Sequence, residues 1–282
     1  MLCLGYQDNA ITKNGDPQIM SNIFLPQMTQ LNCSFVDHVA VLSLNNAPVN
    51  ALSKTLSDEL TAALDIISET PEVRSVVLTG EGKIFCAGAD LKGRASVIKG
   101  PGDLPAHSRR TRECFHAIRE CTKPVIVALN GPALGAGLAI AASADLIITS
   151  EKGCLALPEI DVGLLGGGSH AARLFPHTML RKMMFTGYRV PADELYRLGV
   201  VLQVTTQEGL MPAALELAQT IANKSPLSIG LAKQTLNAIE DMSLRDGYRY
   251  EQDMTAAIAK TEDAKEAQRA FLEKRPAVFI GR

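Results

Sequence analysis

The sequence predicts an α/β fold finished by a run of helices, and three observations carry that reading. Short β-like apolar runs recur along the first part of the 282-residue chain, helical patterns lie between several of them, and from about Met211 onward no strand follows. In chain order the predicted elements are a strand over Val39–Leu44, a helix over Lys54–Ser68, a strand over Ser75–Thr79, a helix over Arg109–Cys121 and a strand over Val125–Asn130. The small, apolar stretch Gly135–Ala144 reads as a further helix, followed by strands over Leu146–Thr149 and Val200–Val204. Strands separated by helices call for crossover connections in one sheet. The tail then reads as three helices, Pro212–Lys224, Leu227–Glu240 and Leu244–Ala270.

Three regions follow: a loose extension over 1–30, a core over 31–210 and a helical region over 211–282 whose apolar stripes serve either the core or a subunit interface. Lys13 is the sole cation of the extension, beside Asp8 and Asp16, so it matches neither a secretory leader nor a transit peptide; Met20 offers an alternative start.

With 46% hydrophobic and 21% charged residues the composition is that of a globular protein able to bury a large core. A formal net charge of −2 and no long basic run give no footprint for nucleic acid, which is not expected as a partner. No apolar run approaches the roughly 18 residues that a spanning helix needs, so no membrane partner is expected. The cysteines Cys3, Cys33, Cys86, Cys114, Cys121 and Cys154 are scattered without metal-ligand spacing. They read as reduced thiols of a cytoplasmic protein, and no metal site is expected.

Chemistry is suggested by three Gly-rich turns, each after an apolar run: Ile84–Asp90, Asn130–Gly137 and Val162–Gly168. Glycine permits left-handed backbone and close approach of a ligand to the main chain. The helix beginning at Gly135 would present unsatisfied N–H groups to negative charge, unless Gly135 and Gly137 serve only close helix packing. A dinucleotide site is disfavoured: Gly135-Ala136-Gly137 lacks the third glycine, and Glu159, at the distance of the ribose-binding acid, follows Pro158 in a loop context. No Gly-Lys-Ser/Thr occurs, which excludes a P-loop.

The blocks Phe85-Cys86-Ala87-Gly88-Ala89-Asp90-Leu91-Lys92, Lys123–Gly137 and Pro158-Glu159-Ile160, in this order and spacing, resemble the signatures of the crotonase (enoyl-CoA hydratase/isomerase) superfamily. The likeness runs from about Phe35 to the C-terminus, where Ala270–Arg275 is similar to the family's closing helix. It implies a spiral of ββα units followed by helices that build a homotrimer or a dimer of trimers. It also implies an acyl-CoA substrate, with coenzyme A part of that substrate and no separate cofactor.

The resemblance assigns an oxyanion hole to the N–H groups of Ala89 and Ala136, donors that would strengthen as a thioester carbonyl becomes an enolate. It places CoA contacts at the turn Val49-Asn50-Ala51-Leu52 and near Lys92, which could equally be a solvated surface lysine. The remaining substrate contacts that it implies are Ala87, Gly88, Asp90, Leu91, Leu134, Gly135, Ala139 and Gly167, with the pocket wall drawn from loops such as Ala95–His107.

Family hydratases use two carboxylates across a water; here the second matches Glu159, and the first aligns with Ala139. Alanine exchanges no proton, and Leu157 replaces a common polar residue. A drier pocket raises a carboxyl pKa and suits one base that moves a proton between carbons, as in the Δ3,Δ2-enoyl-CoA isomerases that this chain resembles at these positions. The acid of the dienoyl-CoA isomerases is absent, since its place is taken by Gly167. His170 could replace the missing acid or serve only as a surface or capping residue; Glu113 and His116 are further candidates, and Asp145 matches a structural aspartate of the family. The expected function is enolate stabilisation with hydratase/isomerase chemistry and one catalytic glutamate. The alternatives are decarboxylation or C–C hydrolysis of an acyl-CoA, or a catalytically silent binder of acyl-CoA or RNA.

Overall fold

The computed structural model describes residues 25–282, so most of the predicted extension, with Met20 and Cys3, lies outside the described residues. Residues 25–30 lead into the first strand, and the Thr29 and Gln30 N–H groups donate to the Glu59 carboxylate at 2.8 Å.

The elements are β1 (Leu31–Val36), β2 (Val39–Leu44), α1 (Lys54–Glu69), β3 (Ser75–Gly80), α2 (Leu91–Val97), α3 (Asp103–Glu120), β4 (Val125–Leu129), β5 (Pro132–Leu134) and α4 (Ala136–Ser143). Then come β6 (Leu146–Ser150), β7 (Cys154–Ala156), a 3₁₀ turn (Pro158–Val162), α5 (Gly168–Ala172), α6 (His177–Thr186), β8 (Arg189–Pro191), α7 (Ala192–Arg197) and β9 (Val204–Thr205). The tail is α8 (Leu210–Ala222), α9 (Pro226–Ile239), α10 (Leu244–Ile258) and α11 (Glu262–Glu273).

The main sheet runs β1-β2-β3-β4-β6-β9, with β1 antiparallel to β2 and the rest parallel; a second sheet runs β5-β7-β8. The central strands are buried on both faces, which is why they read as continuous apolar runs rather than alternating ones. Pleating sends Val76 and Leu78 into the core shared with α1, α3 and α4, and Val77 to the opposite face. On that face α8 packs through Ala214, Ala218 and Ala222, four residues apart, whose small side chains let the helix close on Val39, Ile126 and Ile148.

Several predicted boundaries move. The strand expected over Val200–Val204 is only β9, because Val200 and Val201 are buried in the turn after α7, where the Val200 N–H donates to Leu195. The helix expected from Arg109 begins already at Asp103, whose carboxylate accepts the Lys99 and Gly100 N–H groups. The single helix expected over Leu244–Ala270 is two, because Thr261 breaks it and caps α11 by accepting the Ala264 N–H.

Candidate active site

Three stretches distant in sequence lie edge to edge. The N–H groups of Phe85 and Cys86 donate to the Pro132 carbonyl, and Leu134 donates to Cys86, joining the first Gly turn to β5. On its other side Ala87 donates to Val49, Leu52 donates to Gly88, and Asp90 donates to Leu52. Asn50 secures this edge from a left-handed conformation, φ 53°: its side chain donates to the carbonyls of Glu81 and Ile84 and accepts the Asn46 N–H. Asn50 is buried with its side chain engaged by the protein, whereas Val49 before it is exposed and Ala51 after it half-buried.

Ala89 forms a parallel bridge with Leu52, and the bonds of that bridge use the peptide groups on either side of it, so its own N–H points away from Leu52. Gly88, at φ 106°, brings this turn onto the next: a β-carbon there would stand 3.1 Å from the Leu134 carbonyl and 3.9 Å from the Ala136 nitrogen. Ala136 opens α4, where the N–H groups have no intrahelical acceptor. Among the described residues neither the Ala89 nor the Ala136 N–H donates a hydrogen bond to protein.

Glu159 projects from the 3₁₀ turn, which Pro158 starts and Gly163, at φ 69°, ends. A β-carbon on Gly135 would stand 2.3 Å from Glu159 Oε1, so the carboxylate lies on the start of α4. Its Oε2 is buried with no hydrogen-bond partner. Burial pushes the Glu159 carboxyl above its ordinary value, partly offset by a bond from its own backbone N–H. Around it Leu157, Ile160, Leu164, Leu165, Gly166 and Met184 line a small cavity. Leu164, Leu165 and Met184 were missed by sequence reading; the only signal was the glycine run beside them. Those glycines make room for the lining, since a β-carbon at Gly168 would meet the Met184 thioether at 3.0 Å.

The other predicted residues fall as follows. Ala139 is buried one turn into α4. Gly167, at φ 70°, has no room for a side chain, because a β-carbon would meet Leu157 Cδ2 at 2.6 Å. The Gly135 N–H donates to Ala156, tying the second turn to β7. Asp90 accepts the Gly93 N–H at the start of α2, while Leu91 and Lys92 are exposed on that helix.

His170 lies on α5 and its ring is half-buried. It packs edge-on against Phe115 of α3, with centroids 4.9 Å apart, and burial followed by Arg173, His116 and Arg119 lowers its pKa. Glu113 and His116 are exposed on α3 and pair with Arg112 and Glu120. Asp145 accepts the Val125 N–H at 2.7 Å and pairs with Lys233 at 2.7 Å.

No group of three or more His, Cys, Asp or Glu able to hold a metal occurs among the described residues. No helix among them is long and apolar enough to cross a membrane. A larger cavity, about 820 Å³, lies between α9 and the ends of α1 and α3, and contains none of the predicted residues. Of its cations, Lys233 is engaged by Asp145, Arg119 by Glu240 and Arg74 by two backbone carbonyls, while Lys123 makes no ion pair among the described residues.

Comparison with known proteins gives these groups a family context. The pattern of the enoyl-CoA hydratase/isomerase family matches residues 35–282. A carnitinyl-CoA dehydratase of Citrobacter koseri is 35% identical over 88% of this chain and 98% of its own. A (7aS)-7a-methyl-1,5-dioxo-2,3,5,6,7,7a-hexahydro-1H-indene-carboxyl-CoA hydrolase of Rhodococcus jostii is 33% identical over 84% of this chain and 92% of its own. The crystal structure of an enoyl-CoA hydratase from Bacillus anthracis superposes with a TM-score of 0.85 at 31% identity, over 90% of this chain and all of that one.

Proposed function

This chain belongs to the enoyl-CoA hydratase/isomerase family of enzymes, with the crotonase fold, and on that premise we propose that it converts an enoyl-CoA through an enolate, with Glu159 as its single carboxylate base. One observation carries the reading: the carboxylate of Glu159 rests on the start of α4, where the undonated Ala136 N–H lies beside the turn that holds Ala89. A thioester oxygen accepting both N–H groups gains most when it carries negative charge, and each such donor contributes about 3 kcal/mol to the transition state.

Glu159 then takes a proton from C2 of a 3-enoyl thioester. The C–H electron pair enters the conjugated system and ends on the oxygen, and the same carboxyl returns the proton at C4 as the carbonyl reforms. The result is a 2-enoyl thioester with no water consumed. The apolar lining supports this one-base course, because it keeps the carboxyl protonated between the two transfers.

Reversible hydration is the second reading, favoured by the similarity to the Citrobacter koseri dehydratase. Ala139 offers no second carboxylate, so Glu159 would have to serve both proton transfers. Incubation with 2-enoyl-, 3-enoyl- and malonyl-type CoA thioesters in D₂O, read by mass spectrometry, separates these courses. Isomerisation leaves the mass unchanged, apart from any deuterium that the Glu159 carboxyl exchanges with solvent, and is read from the gain of conjugated enoyl absorbance; hydration adds the mass of water, and loss of CO₂ or carbon–carbon cleavage points to the other chemistries. No change in any thioester would refute the proposal.

A further inference from the structure

The helix that carries Ala136 is buried in the core along its length but makes no polar side-chain tie to its neighbours. α4 is small and apolar, its N-cap Gly135 has no side chain, and its one polar side chain, Ser143, turns back to the Ala139 carbonyl. Two ionic arms reach its C-terminal end instead. Arg173, at the end of α5, donates to the Ala142 carbonyl in the last turn of α4, and its Nε and Nη2 donate to the Glu240 carboxylate. Asp145, which follows the C-cap Ala144, accepts the Lys233 ammonium.

Both outer partners belong to one element, because Lys233 lies within α9 and Glu240 is its C-cap. Two helical turns separate them, so one face of α9 grips one end of α4 at two points. The grip is braced. Lys233 also donates to the carbonyls of Ile118 and Lys123, which satisfies all three of its N–H groups, and Arg119 of α3 meets Glu240 at 2.8 Å. A cation at this end of α4 also opposes the negative pole of the helix.

We propose that Lys233 and Glu240 are positioning residues: through Asp145 and Arg173 they set the axial place of α4, and so the aim of the Ala136 N–H at the substrate carbonyl. This rests on the assignment of Ala136 made above. A short helix moves as a rigid body, so a shift at its last turn appears at its first, and a donor aimed at a transition state loses effect steeply when misplaced.

The test uses the full chain with Glu240→Ala, Glu240→Asp and Lys233→Met. It reads kcat and KM on the enoyl-CoA that is turned over, and the red shift in absorbance of a conjugated dienoyl-CoA on binding, which reports polarisation of its carbonyl. Glu240→Ala and Lys233→Met should each lower kcat by about tenfold or more while KM stays within about threefold, with a smaller red shift. Glu240→Asp should recover part of both. An unchanged kcat and red shift in the folded variants, or a raised KM with unchanged kcat, would overturn the inference. If Lys233→Met does not fold, Glu240→Ala decides alone, since its side chain is 37% exposed and its loss leaves Lys233 paired. Ala136→Pro is the control: if it keeps wild-type kcat and red shift, the Ala136 assignment itself fails. If it loses both while the α9 variants keep them, only the positioning role fails.

Discussion

The Glu159 carboxylate fills the space where any residue at 135 other than glycine would carry its β-carbon. Glycine is required at 135 twice over, by this contact and by a φ of 53°. Gly135→Ala should therefore displace the carboxylate and lower kcat by about 10²-fold, because a catalytic group misplaced by about 1 Å loses that much. Steady-state kinetics with circular dichroism checks it; a folded variant with wild-type kcat would remove Glu159 from the site.

Glu159→Gln keeps shape and removes the proposed base. Turnover should fall by about 10²- to 10⁴-fold while acyl-CoA affinity changes little, measured by kinetics and by calorimetric titration. Unchanged turnover on every accepted substrate would move the search for the base elsewhere.

Burial fixes the direction of the pH dependence. The base acts ionised, and its pKa is raised above the ordinary 4.5, so kcat should fall as pH drops through that raised value, earlier than for an exposed glutamate. The linkage for stability runs the opposite way. A carboxyl with a raised folded-state pKa contributes stability below its unfolded pKa and loses that contribution as pH rises through the folded one. At neutral pH Glu159→Gln should thus melt at or above the wild-type temperature, and below pH 4 the difference should vanish. Melting curves at both pH values test it.

His170→Phe should leave kcat within about threefold, because the ring packs on Phe115 and every charged group acting on it is cationic and opposes its protonation. A loss comparable with that of Glu159→Gln would restore His170 as the second acid.

Leu236, Leu244, Tyr248, Phe271 and Leu272 are each more than half exposed on the tail helices, large apolar side chains of the kind that a subunit interface covers. The protein should sediment as a trimer or hexamer of the 30.2 kDa chain. A monomer at micromolar concentration in analytical ultracentrifugation would exclude this, and Leu244→Asp with Phe271→Asp should shift the assembly toward smaller species.

The strands β2, β3, β4 and β6 were legible because a strand buried on both faces is built on a short run of consecutive apolar residues, with serine or threonine only toward its ends in β2, β3 and β6. The Gly turns were legible because glycine clusters stand out in the chain, and Glu159 because the block Pro158-Glu159-Ile160 resembles a family signature; the contacts that demand glycine at 88 and 135, with Leu134 and Glu159, are tertiary. β1 escaped, since its polar alternation marks an edge rather than a core strand. The direction of His170, the lining by Met184 and the hold of α9 on α4 belong to the tertiary structure alone. Nothing near Asp145 in the chain announces a lysine 88 residues away, and nothing near Arg173 announces a glutamate 67 away. A hydrogen bond between distant residues leaves no periodicity in sequence; it exists only once the sheet has fixed where each helix ends.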